Sequence, residues 1–243
     1  MSGRRRRCVT NLNHTLQSAK HSLSIPHPLF LSQRGVLGGI AEHTSDVIYL
    51  CEAAGYNVVL VESVGLGQSE VDIDSAVDVL LVLVPPGGGD GLQASKKGIM
   101  EAADLVVVNK ADGALLATAK NTKADYSAAM SFIRRKNPLW QPAVLLVSAQ
   151  TGAGLDDVEA QLTSFYDTMT RGGALQQKRL KQAEHWAWGQ FRRLVVHWAE
   201  GDSAARARAQ ELLPQLAAGT CTPRAAAAQM LSALKRACVE HKG

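Results

Sequence analysis

Asn109, Lys110 and Asp112 form an N-K-x-D run directly after the apolar stretch Leu105-Val106-Val107-Val108. An aspartate carboxylate placed this way can accept two parallel N–H bonds, one from the guanine ring and one from its exocyclic amine. Adenine lacks that donor pair and would leave the buried carboxylate unpaired, a mismatch that can discriminate by about 10⁴ or more. The Asn109 side chain can tie neighbouring loops together, and the Lys110 stem can lie along base and sugar. Ser148, Ala149 and Gln150 follow a second apolar stretch, Val144-Leu145-Leu146-Val147. A small Ser-Ala pair lets a backbone N–H reach the guanine carbonyl oxygen. A third stretch, Val58-Val59-Leu60-Val61, ends on Glu62, with Gly65, Gly67 and Gln68 just beyond. Glu62 can hold a magnesium-bound water, and the Gly65 amide can approach a terminal phosphate with no Cβ in the way. The chemistry predicted is binding of GTP or GDP with Mg²⁺.

Such residues need a frame. Runs at 58–61, 79–84, 105–108 and 144–147 are continuously apolar and rich in Val and Leu, which predicts strands buried on both faces. Helical patterns are expected over 42–54, 92–103, 115–136 and 155–169, with Gly55 and Pro138 as stops. Buried strands alternating with helices predict an α/β fold on a parallel sheet, and in such sheets ligands bind at the carboxyl ends of the strands. All three chemical stretches stand at such ends.

Charge and composition bound the alternatives. The 243 residues carry 26 Lys+Arg and 22 Asp+Glu, yet residues 1–41 hold six basic residues and no acidic one. The remaining 202 residues have a net charge of −2, which makes no electrostatic case for nucleic acid. The basic segment 1–28, with Arg4 to Arg7 in a row, is expected to be a disordered or targeting leader. Cys8, Cys51, Cys221 and Cys238 form no C-x-x-C pair, so neither a disulfide framework nor a cysteine zinc site is expected. The seven histidines show no metal-ligand spacing. No apolar run reaches the roughly 18 residues needed to cross a bilayer, and no membrane association is expected.

Gly35-Val36-Leu37-Gly38-Gly39, Cys51-Glu52-Ala53-Ala54-Gly55-Tyr56, the 61–70 stretch, Pro85-Pro86-Gly87-Gly88-Gly89-Asp90-Gly91 and Trp186-Ala187-Trp188 together resemble the methylmalonic aciduria type A family. The similarity extends over roughly residues 29–240. It implies a P-loop GTPase that chaperones adenosylcobalamin-dependent methylmalonyl-CoA mutase or a related cobalamin enzyme. It also implies a homodimer formed through C-terminal helices. In that role Asn109, Lys110 and Asp112 read guanine while Ser148, Ala149 and Gln150 close the base pocket. Glu62 assists Mg²⁺ or the attacking water, Gly65 senses the γ-phosphate, and Gln68 sits in the moving switch. The location implied is the mitochondrial matrix for a eukaryotic source and the cytoplasm for a bacterial one.

One departure from that pattern matters. The G-x-x-x-x-G-K-[ST] loop that cradles phosphates is absent from the 243 residues. A glycine cluster at 87–91 with Lys96 and Lys97 beyond it has the wrong spacing. The sheet is therefore expected to lack its Walker A unit, exposing apolar strand edges, and the chain alone is expected not to turn over GTP. The expected organisation is the leader, an incomplete GTPase domain over 29–172, and a helical dimerisation or partner region over 173–243. In the last, Leu180, Ala187, Phe191, Leu194 and Trp198 make one apolar stripe. Asp202-Ser203 and Thr222-Pro223 start two further helices. A non-enzymatic dimerisation or mutase-binding fragment, a metallochaperone-type GTPase and an arginine/ornithine transport ATPase are the alternatives.

Overall fold

The computed structural model describes residues 6–10, 28–32, 44–62, 74–87 and 97–240. It resolves into two units, 1–183 and 184–243.

The first unit is built on six parallel strands. They are β1 (Arg6–Thr10), β2 (Pro28–Ser32), β3 (Val58–Glu62), β4 (Val79–Val84), β5 (Leu105–Val108) and β6 (Ala143–Leu146), in the order β2-β3-β1-β4-β5-β6. The fold is α/β, with a parallel sheet of the P-loop NTPase type. Leu60, Leu81, Leu105 and Val107 face one way and pack beneath α4 (Leu155–Arg171) through Val158, Phe165 and Met169. Their alternates Val59, Val61, Leu80, Val82, Val106 and Val108 are as deeply buried on the opposite face. Double-sided burial explains the uninterrupted apolar runs of β3, β4 and β5, whereas β6, at the edge of the sheet, is only partly buried.

The main departure from expectation is β1. The segment read as a leader contributes a strand to the interior of the sheet, between β3 and β4, where a gap was expected. The register shows how an arginine-rich segment can do this. Cys8, Val9 and Thr10 pair with Val79, Leu80 and Leu81, among the apolar residues. Arg6 and Arg7 lie opposite Val58 and Val59 at the amino end of the ladder. The edges of β3 and β4 that face β1 are paired rather than open.

Helix α1 (Thr44–Ala53) buries Ile48 and Cys51 and stops at Gly55, whose φ of 95° suits only glycine. Helix α2 spans Lys97–Ala102, and α3 runs Leu116–Phe132 after a 3₁₀ turn at Gly113–Leu115. Helix α3 ends before residue 136, where the sequence pattern continues, because Ile133 turns extended. Lys136 then reaches Asp74 Oδ1 and Asp104 Oδ2, both at 2.8 Å. Ionic tertiary contacts outweigh local helix propensity there.

Helix α5 (Ala174–Gly201) starts in the first unit. Lys178 donates to Asp74 at 2.8 Å, Arg179 grips both oxygens of the buried Asp78, and Gln182 donates to Val77 O at 2.7 Å. The first unit accordingly runs to Ala183 and takes in the start of this helix. The second unit holds the rest of α5 with α6 (Ser203–Ala217) and α7 (Pro223–Glu240). Both expected caps are present: Asp202 accepts from Ala205 N at 2.9 Å, and Thr222 Oγ1 from Ala225 N at 3.2 Å. Leu212, Ala226 and Leu234 are buried. The expected stripe on α5 is exposed: Phe191, Leu194 and Trp198 are each more than half accessible. Trp188 meets Phe191 edge to face at 5.6 Å, while Trp186 is half-buried.

Candidate nucleotide-binding site

The fully buried β5 ends at Val108, and Asn109 N still bonds Val84 O at 3.0 Å in the parallel ladder. Asn109 then turns its side-chain oxygen onto the chain around it. Oδ1 accepts from Lys110 N at 2.7 Å and from Ala149 N at 3.2 Å. Lys110 adopts φ 58°, the left-handed region that a non-glycine residue enters only when held there. The bend carries Ala111 N to Val147 O at 3.0 Å, crossing to the neighbouring strand end. Asp112 follows in extended conformation and starts the 3₁₀ turn, its carbonyl accepting from Leu115 N.

The second loop closes on itself around Ser148, which is fully buried. Its Oγ accepts from Thr151 N at 3.1 Å, its carbonyl from Gly152 N at 2.8 Å, and its N–H donates to Ala153 O at 2.9 Å. Gly154 completes the turn at φ 79°; a Cβ there would stand 2.1 Å from Leu146 O. Only glycine fits this position. Sequence reasoning passed over Gly154 and Thr151, although a glycine one residue before the apolar Leu155 is a recognisable helix-start signal.

The two loops meet at Asp112 and Ser148. The serine hydroxyl donates to Asp112 Oδ2, and Oδ1 takes no hydrogen bond from the described residues. Asn109, Ser148 and Ala149 are buried, Asp112 is half-buried, and Lys110 and Gln150 are exposed. This is a braced carboxylate at the carboxyl ends of adjacent strands, with one oxygen left for a ligand. It fits a planar group that offers two parallel N–H donors. Hydrogen bonds thus join Asn109 to Ala149 and Asp112 to Ser148, while the Lys110 and Gln150 side chains stay exposed beside them.

Glu62 stands apart from them. It closes β3, in register with Thr10 and Ser32, three strand spacings or about 14 Å from β5. Gly65 and Gln68 lie outside the described residues. Among the described residues no group of three or more His, Cys, Asp and Glu side chains could hold a metal ion. Glu62, the residue expected to assist magnesium, stands there as a single carboxylate at the end of β3.

Residues 27–204 match the family described as Methylmalonyl Co-A mutase-associated GTPase MeaB. The chain belongs to this family. Every expected site residue falls inside the matched range, and β1 falls outside it. The mitochondrial methylmalonic aciduria type A homolog of Mus musculus is 36% identical over 201 residues, which cover 83% of this chain and 48% of that protein. A putative GTPase of Caulobacter vibrioides is 40% identical over 199 residues, 82% of this chain and 61% of its own length. The GTPase ArgK of Escherichia coli is 43% identical over 152 residues, 63% of this chain and 46% of that one. The chain thus spans about half to three-fifths of these relatives. Among solved structures, an LAO/AO transport system kinase superposes with a TM-score of 0.69 at 27% identity, covering 96% of this chain and 82% of that one.

Proposed function

We propose that the chain is a guanine-nucleotide-binding chaperone subunit for adenosylcobalamin-dependent methylmalonyl-CoA mutase or a related cobalamin enzyme, and that its 243 residues alone do not turn over GTP. The observation that carries the nucleotide part is the Asp112 carboxylate, fixed by Ser148 with its second oxygen open. Family membership supports the mutase as partner.

In this reading Asp112 accepts the guanine ring N–H and exocyclic amine, and the backbone around Ala149 meets the guanine carbonyl. Lys110, exposed beside them, covers the ring. Glu62 is the residue available to orient magnesium or water. Magnesium, when bound with a triphosphate, would supply charge neutralisation at the γ-phosphate. Turnover needs that charge stabilisation together with a phosphate cradle, and the 243 residues contain no Walker A run. The mitochondrial matrix is the compartment for a eukaryotic source, a reading supported by the word mitochondrial in the mouse relative's name, and the cytoplasm for a bacterial one.

A second reading draws on α5. Its exposed Trp188, Phe191, Leu194 and Trp198 suit pairing with a second copy or with the mutase, without hydrolysis. The test of the main reading is binding of the full chain to immobilised methylmalonyl-CoA mutase, followed by biolayer interferometry. Saturable micromolar binding supports it; no binding to either the apo or the cobalamin-loaded mutase removes the chaperone role.

A further inference from the structure

We propose that the turn at 85–87, held by the buried Thr122 hydroxyl, is the sugar subsite of the nucleotide site and takes the hydroxyls of a ribose, so that ribonucleosides are preferred to their deoxy forms. The proposal rests on the guanine reading above and extends that site from the base to the sugar.

The turn stands beside the base site. Val84 pairs with Val108, and Asn109 N reaches Val84 O at 3.0 Å, so Pro85 follows at the strand end next to β5. Asp112 holds guanine by its ring N–H and exocyclic amine, which lie on one edge of the purine. The glycosidic nitrogen lies on the far side of the ring system, which directs the sugar away from Asp112 and Ser148. In the order β1-β4-β5-β6, the neighbour of β5 on the side away from β6 is β4, about 4.8 Å on. The sugar therefore leaves the base over the carboxyl end of β4.

The chemistry of the turn decides what it can hold. Pro85 and Pro86 have no N–H, and the Gly87 N–H is taken by Thr122 Oγ1 at 3.0 Å. Thr122 is 2% exposed, and its own hydroxyl proton goes to Thr118 O at 2.9 Å, which leaves a lone pair for Gly87. Gly87 holds φ 78° there, a conformation that glycine adopts without strain. The main-chain groups that 85–87 can offer a ligand are then carbonyl oxygens, and Pro85 and Gly87 are exposed. Carbonyl acceptors suit hydroxyl donors, such as those on ribose C2′ and C3′, and disfavour an anionic oxygen. Thr122 sits on α3, the helix that the 3₁₀ turn after Asp112 leads into. One helix thereby fixes both the aspartate that reads the base and the turn that meets the sugar. Thr122 is a positioning residue, since it is buried and acts on the sugar through Gly87.

The test is titration of the full chain with guanosine, 2′-deoxyguanosine, 2′,3′-dideoxyguanosine and adenosine, read by saturation-transfer NMR. Guanosine should bind about tenfold tighter than the dideoxy form, the worth of one to two neutral hydrogen bonds, with the 2′-deoxy form between them. Equal affinities for guanosine and dideoxyguanosine, both above adenosine, would overturn the sugar subsite and leave the base reading intact. Guanosine binding no better than adenosine would overturn both. Thr122→Val, checked for native circular dichroism, removes the acceptor for Gly87 N while keeping the side-chain shape. It should cut the guanosine-to-dideoxyguanosine ratio to about threefold or less, with guanosine still above adenosine, and Thr122→Ser should restore the parent ratio. The parent ratio persisting in folded Thr122→Val would overturn the role of Thr122. The ligand series on the parent chain decides the subsite even where the valine variant fails to fold.

Discussion

The side-chain oxygen of Asn109 accepts a hydrogen bond from Ala149 N at 3.2 Å, joining two loops 40 residues apart in sequence. The same oxygen holds Lys110 N at 2.7 Å in its left-handed turn. Asn109→Ala leaves the buried Ala149 amide without a partner and releases the strained lysine. The cost should be about 2–3 kcal/mol of stability, measured by urea unfolding, together with loss of guanosine binding.

Ser148→Ala makes a narrower cut. It removes the donor to Asp112 and the acceptor for Thr151 N but leaves the backbone closure of the loop. The expected result is about tenfold weaker guanosine binding, the worth of one orienting hydrogen bond to a charged group, with stability lowered by about 1 kcal/mol. Calorimetric binding and a thermal melt separate the two effects.

Gly154 tests the architecture rather than the chemistry. With φ at 79° and a Cβ position 2.1 Å from Leu146 O, Gly154→Ala must move β6 or the loop. Destabilisation of about 2 kcal/mol or more is expected. An unchanged urea midpoint would mean that the loop has a different conformation in solution.

The amino end of the sheet makes a prediction about pH. Asp74 Oδ1 accepts from both Lys136 and Lys178, each at 2.8 Å. Burial pushes the Asp74 carboxyl upward, but Lys178 and Lys136 outweigh it and hold the group below the ordinary carboxylate range. A carboxylate depressed in the folded state contributes fully above its unfolded value near 4. That contribution is lost as pH falls through the lower folded value. Asp74→Asn should therefore cost about 1–3 kcal/mol at pH 7, with the gap to the parent chain closing in acid below about pH 4. Equal stabilities at neutral pH would show that the two lysines find other partners.

The base site was legible because its signals are local. Asn109 to Asp112 and Ser148 to Gln150 each directly follow a strand whose apolar run is unbroken, so their position at the strand ends follows from the sequence. Residues such as Lys136, Lys178 and Arg179 were not legible. Their partners Asp74, Asp78 and Asp104 are 32 to 104 residues away, and no periodicity encodes such pairs. For β1 the local signal pointed the wrong way. Four consecutive arginines read as a solvated leader, while Cys8-Val9-Thr10 is too short an apolar run to announce an interior strand. Only the facing edges of β3 and β4, each unpaired on one side without it, require a strand there.

The most direct test of the account is the base preference of Asp112→Asn against the parent chain. An amide at position 112 can donate where the carboxylate only accepts, matching the second carbonyl of xanthine in place of the guanine amine. Saturation-transfer NMR on the folded parent should show guanosine and no xanthosine; the variant should show xanthosine and no guanosine. The same weak response to both nucleosides in both proteins would contradict the assignment of Asp112 as the residue that reads the base.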